Sequence, residues 1–369
     1  MKKFVFVSFA ACLFMACSTD DDLGTDPGND NEPVADCNVI EVSGNIDEPT
    51  VWEEGFVYVI NGSNVTVRSV LTIEPGVTVK IKDASIDVVG GKIIANGTPE
   101  KRIVFTSLGD DRFCGDTNGD GTATNPAKGD WQQISLNGTT ETTFKYVDIF
   151  YAGKNRAGYH NAVKISGANS ISFTFDNCRI AHTLHNNNSS YDGSCAFYGS
   201  TSMTDATVSK FTNNALYDNG KPLQLNFYYN LDPSNKFHNP EDLSQTNTHN
   251  GIYLHHSSGG FDVTVNWNNT EIPYVIDESH QVHPSATINI GPNATVKFKR
   301  PGTGLSRHSP QNINIHSTAF LTSYKDDAHG GDTNGDGNNS IPTNGDWEGV
   351  YNGYNQTYEQ GPNILYAEN

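Results

Sequence analysis

Leu71-Thr72-Ile73-Glu74-Pro75-Gly76-Val77-Thr78-Val79-Lys80-Ile81-Lys82 holds two alternating apolar runs joined by a Pro-Gly turn. A period of two, β-branched residues and turn residues after only a few positions read as short strands. The pattern spreads outward from it, in Val65/Val67, Ile86/Val88 and Ile103/Phe105, with Gly, Pro, Asn or Asp between many of the runs. No amphipathic helix is evident beyond the first residues.

The same stretch returns later in the chain. Ile73-Glu74-Pro75-Gly76 and Val79-Lys80-Ile81-Lys82 match Ile290-Gly291-Pro292-Asn293 and Val296-Lys297-Phe298-Lys299. Tyr58-Val59-Ile60 matches Tyr274-Val275-Ile276, and Thr106-Ser107 matches Thr322-Ser323. The hexapeptide Asp-Thr-Asn-Gly-Asp-Gly occurs at 116–121 and again at 332–337, about 216 residues on. Each copy is followed at equal spacing by Gly-Asp-Trp, at Gly129-Asp130-Trp131 and Gly345-Asp346-Trp347. A long period built from short strands points to a stacked array. An antiparallel sandwich is the competing architecture, but its duplication would leave two domains and a linker. Trp267 to Ile276 instead runs directly into the second copy.

The run from Leu71 to Lys80 resembles the right-handed parallel β-helix proteins of bacterial surfaces. Gly91-Lys92-Ile93-Ile94-Ala95-Asn96-Gly97-Thr98, Ile103-Val104-Phe105-Thr106-Ser107 and Lys145-Tyr146-Val147-Asp148-Ile149 carry the likeness further, and it covers the chain from about Val51. The resemblance implies an all-β solenoid with two related units, the second incomplete. That family mixes adhesins with polysaccharide-active enzymes, so the fold alone does not name an activity. The expected divisions are a signal peptide at 1–16, an acidic tether at 17–36 and an N-terminal cap at 37–57. A first unit at 58–273 and a partial second unit at 274–369 follow. Because Ile364-Leu365-Tyr366-Ala367 matches Ile149-Phe150-Tyr151-Ala152, the second unit is expected to continue in a longer chain or to close against another molecule.

Lys2 and Lys3 followed by the apolar run Phe4 to Phe14 read as an export signal. Met15-Ala16-Cys17 resembles a bacterial lipobox, which implies lipidation of Cys17 and attachment to the outer membrane. The run Ser18-Thr19-Asp20-Asp21-Asp22 behind it resembles a signal for display on the cell exterior. The Gly/Asp/Asn/Pro-rich stretch to about Ala35 lacks the apolar surface needed to fold. A formal net charge of −19 argues against nucleic acid as a partner. It suits divalent cations or solubility outside a cell. An export route permits disulfides among Cys37, Cys114, Cys178 and Cys195, and the expected pair is Cys178 with Cys195 on neighbouring rungs.

The acidic hexapeptides match the first half of a calcium loop. Asp116, Asn118 and Asp120, and in the second copy Asp332, Asn334 and Asp336, place three oxygen-bearing side chains at alternate positions before a glycine. The twelfth position of each loop is Ala127 or Thr343, where an EF-hand needs Glu. Asp130 and Asp346 are the expected substitutes, and Asp110/Asp111 and Asp326/Asp327 lie just upstream. The expectation is structural Ca2+, rigidifying long loops.

No residue set reads as catalytic. Arg179, His182, His185 and Asp192 form the richest polar stretch, with His249, His255 and His256 as a second. Odd spacing separates Arg179 from His182 in an extended strand, so these histidines read as solvated turn residues. Tyr151, Tyr159, Tyr191, Phe227, Tyr228 and Tyr229 suit either stacking on sugar rings or ladders inside the solenoid. The expected function is adhesion or glycan binding at the cell surface, with a polysaccharide-cleaving lyase or hydrolase as the alternative.

Overall fold

The computed structural model describes residues 37–138, 141–156, 158, 160–167, 171–185, 194–199, 207–255, 262–309 and 311–368. Cys17, Tyr159, Tyr191, Asp192 and His256 lie outside them. The described residues contain no helix and coil as a parallel β-helix. Three sheets run side by side, of seven, eleven and six strands, and successive strands visit them in rotation. Asn38–Glu41, Gly44–Ile46 and Thr50–Trp52 give one strand to each sheet, so the segment expected as a cap is built into the coil.

Alternation explains the packing. In Thr78–Lys82 of the first sheet, Val79 and Ile81 enter the core while Thr78 and Lys80 point to the outer face. Parallel pairing at equal register stacks like on like, as in Tyr58↔Val79 followed by Val79↔Phe105. The core therefore fills with ladders. Phe144 lies on Phe175 with centroids 4.7 Å apart and planes 9° apart, and Phe211 and Phe197 continue the column. Phe227, Tyr228 and Tyr229 are buried core residues, which removes them from the sugar-stacking set.

Corners need backbone that most residues resist. Tyr146, Asn177 and Asn213 precede successive strands of the first sheet, and Tyr151, His182 and Asp218 follow them, all six with φ between 50° and 62°. Left-handed corners leave amide groups unpaired inside the coil, and buried asparagines satisfy them. Asn219 accepts from the Thr183 amide at 3.1 Å and donates to the Ile180 carbonyl at 3.0 Å and to Asn247 at 3.0 Å.

Each copy of the duplication opens on a Trp–Tyr stack, Trp52 on Tyr58 at 4.7 Å and Trp267 on Tyr274 at 5.2 Å. The copies are not in phase around the coil. Phe56–Asn61, Thr78–Lys82 and Ile103–Ser107 belong to the first sheet, whereas their counterparts Tyr274–Ile276, Thr295–Phe298 and Phe320–Ser323 continue the second. Two smaller sheets complete the rungs of the second copy. One holds Thr264–Trp267, Thr287–Ile290 and Ile313–Ile315, and the other holds His280–Gln281, Gly304–Arg307, Gly349–Asn352 and Thr357–Tyr358.

The expected Cys178–Cys195 disulfide is not formed, and both residues are buried thiols. Cys178 leads into the first-sheet strand Arg179–Ala181, while Cys195 opens the second-sheet strand Cys195–Tyr198 and pairs with Asn161. Seventeen residues carry the chain to a different face, not to the same face one rung on. Burial pushes both thiols up to about 12, consistent with inert core residues. The disulfide joins Cys37 to Cys114, with Cα atoms 5.2 Å apart.

Candidate functional site

Two places concentrate chemistry: the duplicated acidic loops, and a groove beside the first of them.

Each acidic loop folds back over the outer face of the sheet it leaves. Beneath it lies a lysine, Lys80 or Lys297, whose relative exposure is 0%. Lys80 Nζ donates to the Gly115 carbonyl at 2.6 Å, and Lys297 Nζ donates to Gly331 at 2.6 Å. Burial pushes both ammonium groups down, Lys297 to about 8, while nearby aspartates oppose the shift. The supports repeat as well. Thr106 and Thr322 donate to Asp110 and Asp326 at 2.5 and 2.6 Å. Trp131 and Trp347 anchor the far ends by donating to Phe150 and Leu365 carbonyls, both at 2.7 Å. The loops are tied to neighbouring rungs differently. Cys37–Cys114 holds the first, and the second uses a 2.7 Å hydroxyl contact between Tyr253 and Tyr324, whose hydroxyl also donates to Thr333.

Within the loops, Asp116 and Asp332 accept from the amides of Gly119 and Gly121, and of Gly335 and Gly337, wrapping the turn around one carboxylate. Asn118 donates to Asp120 and Asn334 to Asp336, both at 2.9 Å. Bonds from Thr124 and Ser340 hold the Asp120 and Asp336 carboxyls below the usual range. In the second copy Asp327, Asp332 and Asp336 converge, with one oxygen from each inside 4.8 Å of the others. Asp111 and Asp327 are pushed up by burial, with neighbouring carboxylates of the loop adding to it. Their Oδ1 atoms are buried without a hydrogen-bond partner. Hard, anionic oxygens so disposed suit calcium.

Asp130 and Asp346 sit elsewhere. Asp130 accepts from Ser107 and the Ala127 amide, and Asp346 from Ser323, Lys325 and the Thr343 amide. Burial raises the Asp346 carboxyl, but Lys325 and these donors outweigh it and leave it below the usual range. These two aspartates close the loop base, and Asp327 takes the place expected for Asp346 in the cluster.

The groove, of about 730 Å³, crosses the outer face of the first sheet between the first acidic loop and a hairpin of His238–Asn239 and Asp242–Thr246. Outer positions on a solenoid are ordinarily polar, yet this floor carries Val104, Phe150, Ala181, Ala215 and Tyr217 as a second apolar cluster. Phe113 from the loop stacks on Phe150 at 6.5 Å. Burial pushes the Tyr217 phenol up to about 12, so it stays a neutral donor. Register sets polar groups in a neighbouring row, with Val104↔Asp148, Asp148↔Arg179 and Arg179↔Ala215. Arg102 grips Asp148 through Nε and Nη2 at 2.6–3.0 Å. Arg112 holds Asp110 in the same two-pronged way at 2.8 and 2.9 Å. Arg179 meets Glu241 of the hairpin at 3.0 Å.

His182 joins Arg179 in this groove, contrary to the parity argument. Its φ of 57° breaks the two-residue alternation just past the strand and turns the ring back over the sheet. The ring stacks on Tyr151 at 4.9 Å and bonds Asp218 through Nδ1 at 2.6 Å. Burial raises the Asp218 carboxyl, but His182 and Lys128 more than offset it, leaving it below the usual range. His255 is a structural partner of the Gly199 carbonyl at 2.6 Å, and burial lowers His249 beside the second acidic loop.

No protein-family model, curated protein or solved structure matches this chain.

Arg102, Arg112, Asp148 and Tyr217 were not legible as site residues. Arg102 and Arg112 flank the strand Ile103–Ser107, whereas Asp148 and Tyr217 come from the later strands Val147–Phe150 and Ala215–Tyr217, and only the stacking register assembles them. Phe150 was the available signal, an aromatic at the outer position of Val147–Phe150.

Proposed function

We propose that this chain is a calcium-stabilised β-helix that binds carbohydrate along the outer face of its first sheet. In this reading it is held at the outer membrane by lipid on Cys17, faces the cell exterior, and acts in adhesion or glycan binding. The carrying observation is an apolar and aromatic base to a groove on the outer face of the sheet, where Phe150 and Tyr217 keep 6% and 5% exposure, Phe113 stacks on Phe150 from the loop, and paired Arg and Asp stand on the flanks. Sugar rings offer C–H faces to such a floor and hydroxyls to such a rim. The groove is open and preformed, which suits an extended chain.

Calcium is supported by the convergence of Asp327, Asp332 and Asp336 and by the orphaned oxygens of Asp111 and Asp327. Its role is to rigidify the two acidic loops, the first of which walls the groove. With extracellular-type affinities of about 10⁻⁴–10⁻³ M, 10 mM calcium adds about 1.4–2.7 kcal/mol per site. The melting temperature is expected to rise with calcium and fall on chelation; an unchanged value removes the metal from this reading.

One observation favours the cleaving alternative, the His182–Asp218 pair within reach of the groove. A histidine oriented by a carboxylate is a recurrent general base. Incubation of the mature protein with acidic and neutral polysaccharides separates the two. Retention of intact glycan supports binding, and shortened products establish an enzyme and move His182 into its machinery.

A further inference from the structure

The charge of the groove carries the reading above one step further, to the class of sugar. The chain is strongly acidic overall, yet Lys101, Arg102, Arg112 and Arg179 line this one groove against three carboxylates, Glu100, Asp148 and Glu241, with Lys101 paired to Glu54. Two of the guanidiniums are held rigidly by buried or nearly buried carboxylates, Arg112 by Asp110 and Arg102 by Asp148. Both use Nε and Nη2 for protein contacts, and among the described residues Nη1 makes none. Arg179 differs. Its partner Glu241 is 72% exposed on the hairpin and lies 3.0 Å from Nη2. An ion pair with so exposed a partner is worth little and exchanges readily with solvent or a competing anion.

The duplication isolates the same residues. Asp110, Asp111, Gly115, Asp116, Asp120 and Asp130 recur in the second copy as Asp326, Asp327, Gly331, Asp332, Asp336 and Asp346. Arg112 and Phe113, which face the groove, become Ala328 and His329. The frame of the loop is common to both copies, and the groove-lining residues belong to the first alone.

Resting on the carbohydrate-binding reading, we propose that the groove binds glycans bearing carboxylate groups. Arg112 and Arg179 contact the carboxylates, Phe150 and Tyr217 receive the ring faces, and Glu241 occupies the carboxylate position at Arg179 until ligand displaces it. At Arg179 a planar guanidinium can match a carboxylate with two parallel N–H···O bonds, a geometry that hydroxyl-only sugars do not reward, and Arg112 adds a contact through Nη1.

The test is affinity electrophoresis of the mature protein, with calcium, in gels containing polygalacturonate, alginate, or neutral dextran and xylan. Acidic glycans are expected to retard it, less so as salt is raised. Arg179→Gln is expected to weaken that binding by about tenfold or more, the scale of a charge-assisted contact. Glu241→Gln is expected to strengthen it severalfold, which a merely structural role for the pair does not predict. Its exposed position makes misfolding a poor explanation of any change. Retention by neutral but not acidic glycans would overturn the carboxylate assignment and leave the carbohydrate reading standing. Retention by no glycan would overturn both. Acidic binding unmoved by either variant would place the carboxylate site elsewhere, and tighter binding of poly-glutamate than of any glycan would make the ligand an acidic peptide and end the proposal.

Discussion

Asp327 places two opposed demands on one side chain. Its Oδ1 is buried without a partner, and Asp332 and Asp336 crowd it with like charge. Without a cation the carboxylate costs stability; with one it becomes a ligand. Asp327→Asn is therefore expected to act in opposite directions under two conditions. In chelator it raises stability by about 0.5 kcal/mol, the scale of exposed charge pairs. In 10 mM calcium it loses the second-site gain of about 1.4–2.7 kcal/mol. Denaturant melts with and without calcium read both signs, and a variant destabilised equally in both would show a packing role only. The hexapeptides themselves were plain in the sequence. The third carboxylate was not, because Asp327 just before the hexapeptide and Asp346 beyond it are both within a loop's reach, and only the fold-back of the loop over Lys297 decides between them.

Strands were the legible part of this chain, and corners the illegible part. Alternation in Val65/Val67 or Val77/Val79/Ile81 identifies an inward face because one side of each strand meets the core. At a left-handed corner the alternation restarts, so His182 returned to the face of Arg179 and the parity argument failed. The same corners explain why asparagine is abundant, and burial decides what each one contributes. Asn219 is fully buried and satisfies the Thr183 amide and the Ile180 carbonyl. Asn314 is exposed and continues a surface ladder by donating to Asn289 at 2.8 Å. Asn219→Ala leaves two buried backbone groups unsatisfied and is expected to cost about 2–4 kcal/mol. Asn314→Ala exposes its neighbours to water and is expected to change stability by no more than about 0.5 kcal/mol. Equal costs in urea melts would show that ladder formation, and not burial of backbone groups, sets the energetics.

At the scale of the whole solenoid, the phase slip between the copies determines how they are coupled. Matching residues such as Tyr58 and Tyr274 report the same local strand, and nothing in that match says which face of the coil each joins. The structure assigns them to different sheets, and among the described strands the long continuous sheet that passes from one copy into the other is the eleven-stranded one, beside the shorter pairing of Thr264–Trp267 with Thr287–Ile290. The crossing is the pairing of Ile252–His255 with Tyr274–Ile276. Tyr274 secures it from inside, stacked on Trp267 and accepting the Asn269 amide at 3.0 Å. A solenoid's stability is close to a sum of repeat and nearest-neighbour terms, so one weakened interface lets its two sides melt separately. Tyr274→Ala removes a buried ring and leaves the Asn269 amide unpaired, at about 3–5 kcal/mol. The intact protein is expected to show one calorimetric transition in calcium. The variant is expected to show two, with the calcium dependence assigned to Asp327, Asp332 and Asp336 confined to the transition of the second copy. A single transition moved to lower temperature would mean that the copies cohere through more than this sheet.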